Sequence, residues 1–192
     1  MDGAKTILLC GVGGQGTILA ADLLARAALA AGFQVKVSEI HGMAQRGGAV
    51  TTVVRFGDEV STMVADTGAV DCLVSFETTE ALRNISFLKK GGYLLVADET
   101  IKPLPVACGR ASMPHDAKGK LASADAVLIP AHDLAVKAGN AKCENVVILG
   151  ALEPHLGFGD DVWHEVIEGR VPPKTVEANV KAYELGLDFA RQ

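Results

Sequence analysis

The chain has 192 residues, 49% of them apolar and 21% charged, which is enough for one domain whose core needs neither disulfides nor a structural metal. Its net charge of -5, with Lys and Arg scattered along the sequence, gives no footprint for nucleic acid. Cys10, Cys72, Cys108 and Cys143 stand tens of residues apart without a C-x-x-C pair for a cluster, no apolar run approaches the ~20 residues of a membrane helix, and no secretory signal opens the chain, so a cytoplasmic protein is expected.

Residues 5–10, KTILLC, read as a buried first strand, and GVGGQG at 11–16 follows where a strand would hand over to a helix. Residues 17–31 read as that helix, with Asp22 and Arg26 as its only charged side chains, four apart and able to pair. The rest of it, with Ile18, Leu19, Leu23, Leu24 and Leu29 among alanines, is apolar on too many sides to face water. Cover by the sheet on one side and by further protein on the other is expected. Gly32 is placed to stop the helix, and FQVKVSEI at 33–40 gives a second strand with Phe33, Val35 and Val37 alternating with polar residues.

After the EIHGMAQRGG element at 39–48, AVTTVVRF and EVSTMVA read as two strands joined at Gly57 and Asp58, a hairpin that interrupts the βαβ rhythm of a nicotinamide domain. VDCLVSF at 70–76 suits a central strand; a helix at 79–88 and a strand at 93–98 follow. Residues 102–120 hold Pro103, Pro105 and Pro114 and read as an irregular excursion. A strand at 126–131, a helix at 133–138, an apolar helical stretch at 146–156 and a last helix after Pro172 and Pro173 complete the chain. The pattern predicts an α/β fold: a Rossmann-like, mostly parallel sheet with helices on both faces and an inserted β-hairpin, in a single domain spanning 1–192.

Gly11, Gly13 and Gly16 have the G-x-G-x-x-G spacing of a dinucleotide turn, whose backbone N–H groups and following helix N-terminus can meet an anion. Gly14, Gln15 and Thr17 complete the candidate cofactor-binding loop. The same glycines also serve close helix-to-strand packing, so both readings stand. Glu39 lies 23 residues past Gly16, where nicotinamide enzymes place the acid that takes the ribose hydroxyls, or it serves the loop structurally. Arg46, with Gly47 and Gly48, offers a charged donor fork beside approachable backbone, suited to a carboxylate, a phosphate or coenzyme A, or to an ion pair within the assembly. His41 is either a hydrogen-bonded loop residue or a chemical one. Residues His115, His132, His155 and His164 lack H-x-x-x-H spacing, and G-x-S-x-G and the P-loop are both absent, so metal, hydrolase and kinase readings fall away.

The run GVGGQGTILAADLLARAAL, then VSEIHGMAQRGGAVTTVVRFG, with weaker echoes in SFETTEALRN and KTVEANVKAYELG, resembles the gamma-type subunit of 2-oxoacid:ferredoxin oxidoreductases, and most of all the small (beta) subunits serving indolepyruvate. Such enzymes decarboxylate a 2-oxoacid on thiamine diphosphate, pass electrons through iron-sulfur clusters to ferredoxin and transfer the acyl group to coenzyme A. The resemblance implies an accessory chain with no catalytic residue, cofactor or metal of its own. Thiamine diphosphate and the clusters belong to a large partner subunit, ferredoxin is reached through that subunit, and coenzyme A is a co-substrate. Glu39, His41, Gln45, Arg46, Gly47 and Gly48 then become contacts to substrate or partner, and the HGMAQRGG wording favours an aryl pyruvate. A homodimer when isolated would hide the apolar helix equally well. The alternative, a self-sufficient NAD-binding oxidoreductase, rests on Gly11, Gly13, Gly16 and Glu39. A regulatory module sensing an acyl-coenzyme A is a third reading.

Overall fold

The computed structural model describes residues 3–41 and 48–192, His41 in its backbone only. Among these residues six strands and eight α-helices follow in the order β1 Lys5–Val12, α1 Thr17–Ala30, β2 Gln34–His41, β3 Ala49–Gly57, β4 Val70–Ser75, α2 Thr78–Asn84, β5 Leu88–Ala97, α3 Leu104–Ala107, α4 Ala117–Ala122, β6 Val127–Ile129, α5 Ala131–Ala138, α6 Glu144–Leu156, α7 Asp160–Arg170 and α8 Val176–Ala190. The sheet order is β2-β3-β1-β4-β5-β6. Neighbours from β1 through β4 and β5 to β6 are parallel, while β3 runs antiparallel to both β1 and β2. This is the α/β, Rossmann-like architecture the sequence predicts, with one inverted strand set into it.

Burial on both faces explains the continuous apolar runs. Ile7 and Leu9 of β1 point to a core shared with α1, α5, α6, α7 and α8, whereas Leu8 and Cys10 point to a second core closed by Ala81 of α2 and Leu121 of α4. A strand so enclosed shows no polar alternation. The α1 helix ends as its sequence suggests: Gly32, at φ +91°, donates to Leu29 O at 3.0 Å and Phe33 N–H reaches Ala28 O at 3.0 Å, the paired bonds of a Schellman stop. Arg26 Nε meets Asp22 Oδ1 at 2.9 Å, and Arg170 of α7 joins the same carboxylate. Helices α6 and α7 of this same chain therefore cover much of the flank of α1 that the sequence assigns to further protein, leaving Ile18 and Leu29 exposed.

Two expectations are corrected. The hairpin joins β2 to β3 across the second glycine element, and residues 59–65 form no strand. Both edges of β3 are already occupied, by β1 and β2, so β3 offers no ladder to the EVSTMVA run that follows it. Instead, side chains take up its carbonyls: Lys36 Nζ donates to Ser61 O at 3.0 Å and Arg55 Nη1 to Thr62 O at 3.2 Å. The excursion at 102–120 is not wholly irregular but carries α3 and α4, and α7 is a helix the sequence reading omits. Among the described residues, no helix is long and apolar enough to cross a membrane.

Candidate functional site at the glycine turn

Strand β1 continues through Gly11 and Val12, so the turn proper occupies residues 13–16, with Gly14 at φ +109° and Gly16 at φ +77°, conformations that exclude most side chains. Gln15 fills the crevice this turn creates. Its Oε1 accepts from Val12 N–H at 2.7 Å, and its Nε2 donates to Phe76 O at 2.7 Å, so one amide clasps the carboxyl ends of β1 and β4 together. These ends form the topological switch point, because α1 leaves to one face of the sheet and α2 to the other. A Cβ on Gly11 would come within 2.8 Å of Gln15 Oε1 and 2.9 Å of Phe76 Cβ, and one on Gly16 within 2.9 Å of Asn145 Nδ2. Both of those fingerprint glycines thus make room for the chain's own atoms. Thr17 is buried at the first turn of α1.

The two glycine elements meet directly, since Gly13 N–H donates to Gly48 O at 2.8 Å. Glu39, at the start of the second element, lies away from the first. It is exposed on β2 opposite Thr52 of β3, and β3 separates it from β1, a displacement of two strand spacings, about 10 Å in the plane of the sheet. The backbone of His41 pairs opposite Val50. The His41 side chain and Gln45, Arg46 and Gly47 lie outside the described residues.

Beside the turn opens a cleft of about 590 Å³, bounded by Gly14, Gly16 and Leu19 on one side and by Glu99, Lys142, Glu144 and Asn145 on the other. The first turn of α1 faces it without a side-chain cap, which leaves positive backbone dipole there. Opposing this, two carboxylates and one ammonium line the wall. Burial, reinforced by the Glu144 charge, pushes the Glu99 carboxyl above its usual range. Glu144 Oε1 accepts a hydrogen bond from His132 Nδ1 at 2.6 Å, and this bond together with the carboxylate charge raises His132. Asn145 Nδ2 donates to Gly16 O at 3.3 Å from a position 129 residues away, so no local spacing in the sequence announces it. Its only signal is a lone amide at the head of an apolar helix.

Desolvation pushes the buried thiol of Cys10 up to about 12 and that of Cys72 up to about 11, so neither is a ready nucleophile. Among the described residues, no group of three or more His, Cys, Asp or Glu is arranged to hold a metal ion, so the donor set of an iron-sulfur centre is not found there. The arrangement presents a surface of backbone and cleft.

Comparison with known proteins gives consistent relatives. The sequence model of the family described as pyruvate ferredoxin/flavodoxin oxidoreductase matches residues 6–189. Indolepyruvate oxidoreductase subunit IorB of Thermococcus kodakarensis is 43% identical over 193 residues, covering 97% of this chain and 96% of that one. Among solved structures, the gamma subunit of a keto/oxoacid ferredoxin oxidoreductase from Geobacter sulfurreducens aligns with a TM-score of 0.73 at 27% identity over 97% of this chain and 98% of its own. Pyruvate oxidoreductase subunit PORC from Thermotoga maritima gives 0.71 at 25% identity over 96% of each chain.

Proposed function

This chain belongs to the pyruvate ferredoxin/flavodoxin oxidoreductase family, as a gamma/beta-type accessory subunit, and we propose that it serves an enzyme oxidising indolepyruvate or another aryl pyruvate to an acyl-coenzyme A. The observation that carries this reading is the 43% identity to an indolepyruvate oxidoreductase subunit along nearly the whole of both chains. In this reading the whole chain, 1–192, is one gamma-type domain of a cytoplasmic enzyme. Thiamine diphosphate and iron-sulfur clusters sit on a large companion subunit, through which ferredoxin is reduced.

The chain's own contribution is surface. Gly11, Gly13, Gly14, Gln15, Gly16 and Thr17 build the turn. Its exposed Gly14 and the uncapped N-terminus of α1 would face coenzyme A or a cofactor held by the companion, with Gly11 and Gln15 shaping the turn from behind. Glu39, His41, Gln45, Arg46, Gly47 and Gly48 make the second contact strip, in which the Arg46 guanidinium suits a carboxylate or phosphate.

The test is reconstitution. The purified chain with indolepyruvate, coenzyme A and methyl viologen is expected to reduce no viologen, and addition of the large subunit from the same organism is expected to start turnover. Turnover by the chain alone would refute the division of labour, and a reconstituted enzyme that accepts only pyruvate would refute the substrate. Within the assembly, Arg46→Ala is expected to lower turnover about tenfold or more without dissociating the subunits, as loss of a charged hydrogen bond does; unchanged kinetics would remove Arg46 from the site.

A further inference from the structure

Four clefts can be compared by the charge of their walls. The cleft at the glycine turn sets Glu99 and Glu144 against Lys142, one at the ends of α6 and α8 sets Glu153 and Asp160 against Arg191, and one along α7 and α8 sets three glutamates against Lys181. The fourth, about 520 Å³ between α2 and the segment 102–120, has the opposite sign: Arg83 and Lys120 line it, and no acidic side chain does. The bias extends to the whole segment, which holds Lys102, Arg110, Lys118 and Lys120 against Asp116 alone in a chain of net charge -5. Lys118 is paired with Asp98, and Arg83 lies 3.5 Å from Glu80, whereas Lys120 has no ion-pair partner among the described residues.

Apart from Thr79 and Ser112, the rest of this wall is hydrocarbon, with Leu82, Val106 and Met113 set among three prolines that restrict the backbone around them. Thr79 also lines it, and its buried hydroxyl has no hydrogen-bond partner among the described residues. A largely apolar wall that also carries cations discriminates doubly. A bare anion gains nothing from the hydrocarbon, and a neutral hydrophobe gains nothing from the charge. The volume lies within the roughly 300–1,000 Å³ of small-molecule sites.

We propose that this cleft binds a small organic anion with an apolar body, its carboxylate beside Lys120 and Arg83 and its hydrocarbon against Leu82, Val106 and Met113. The inference does not depend on the accessory-subunit reading and stands on the α2 side of the sheet, where Leu121 of α4 closes the second core.

The full chain, carrying 13C-methyl methionine, tests it by NMR. Met113 reports from the wall, and Met63, on the stretch 59–65, reports from outside it. Phenylacetate is expected to move the Met113 resonance saturably at millimolar concentration and to leave Met63 in place. Phenylacetamide and inorganic phosphate are each expected to bind at least about fivefold more weakly, and Lys120→Gln to weaken phenylacetate about threefold while the Met63 signal and thermal midpoint stay unchanged. Equal binding of the amide would reduce the cleft to a hydrophobic surface, and equal binding of phosphate to an adventitious anion site. Displacement of phenylacetate by coenzyme A would give the cleft to the co-substrate, and tighter binding of an acidic peptide would make it a protein-docking face. Each of these, like a motionless Met113, overturns the proposal.

Discussion

A single amide closes the crevice at which folds of this class receive their ligands. Gln15 links Val12 N–H to Phe76 O and so ties together the ends of β1 and β4. Gln15→Ala is therefore expected to destabilise the chain by about 1–3 kcal/mol, the cost of leaving partly buried polar groups unpaired. Urea denaturation reads this as a lower midpoint at constant slope; an unchanged midpoint would mean that water replaces the clasp. A second residue makes a pH-dependent case. Burial pushes the Glu80 carboxyl above its ordinary 4.5, with the Arg83 charge opposing and the Glu77 charge adding to the rise. In the window between 4.5 and its raised value, the folded chain holds this proton more tightly than the unfolded chain does. Glu80 thus favours folding at low pH, and that contribution is lost as pH climbs through the folded value. Glu80→Gln keeps the backbone carbonyl that accepts from Asn84 at 2.9 Å and removes only the ionisation. The variant is expected to melt at or above the parent temperature at pH 7, with its advantage shrinking toward pH 4. A parent that melts higher at pH 7 would mean that the ion pair with Arg83 outweighs desolvation.

At the scale of elements, a close crossing of α6 and α8 is made by Gly150 and Gly186, each set against the backbone of the other helix. A methyl group on Gly150 of α6 would overlap the Tyr183 carbonyl oxygen of α8, and one on Gly186 of α8 would overlap the Val147 carbonyl oxygen of α6. Both obstacles are helix backbone, which yields only if the axes separate, and that would open the core around Tyr183 and Leu187. Gly186→Ala is expected to cost more than about 3 kcal/mol even though alanine is the better helix former, because overpacking exceeds the ~1 kcal/mol of propensity gained. Chemical denaturation would show it, and a stabilised variant would mean the helices slide apart freely. None of this is legible in the apolar run at 146–156, where Gly150 reads as a weak helix residue. What is legible is type: β1 and β4 announce themselves because both their faces are covered, and the stop at Gly32 because only a left-handed residue ends α1 there. What is not legible is pairing. The strand run 49–56 looks the same whether its partner is 59–65 or β2, because period and propensity specify a strand without specifying its neighbours. Helix α7 escaped for a related reason, since Trp163 and Ile167 are its only buried residues and most of its face is solvated.

At the scale of the molecule, that unread pairing separates the two functional readings. The fingerprint of Gly11, Gly13, Gly16 and Glu39 is faithful in sequence, but its use by a dinucleotide requires the second strand to lie next to the first. Here β3 stands between them, so an acid at the end of β2 is displaced by about 10 Å in the sheet from the turn that would hold the pyrophosphate. The turn itself is engaged as well: Gly13 N–H is committed to Gly48 O, and the space before Gly11 is filled by Gln15 and Phe76. Two independent obstacles, one of topology and one of occupancy, oppose nicotinamide binding. Calorimetric titration of NADH into the isolated chain is accordingly expected to show no saturable heat in the micromolar range, where a dedicated cofactor site would appear at about −8 kcal/mol. The control is Gln15→Ala, which empties the crevice but leaves β3 in place and is likewise expected to stay silent. If that variant alone bound NADH, occupancy would be the governing obstacle and topology would not; if the parent bound it, a redox role carried by this chain alone would have to replace the accessory one.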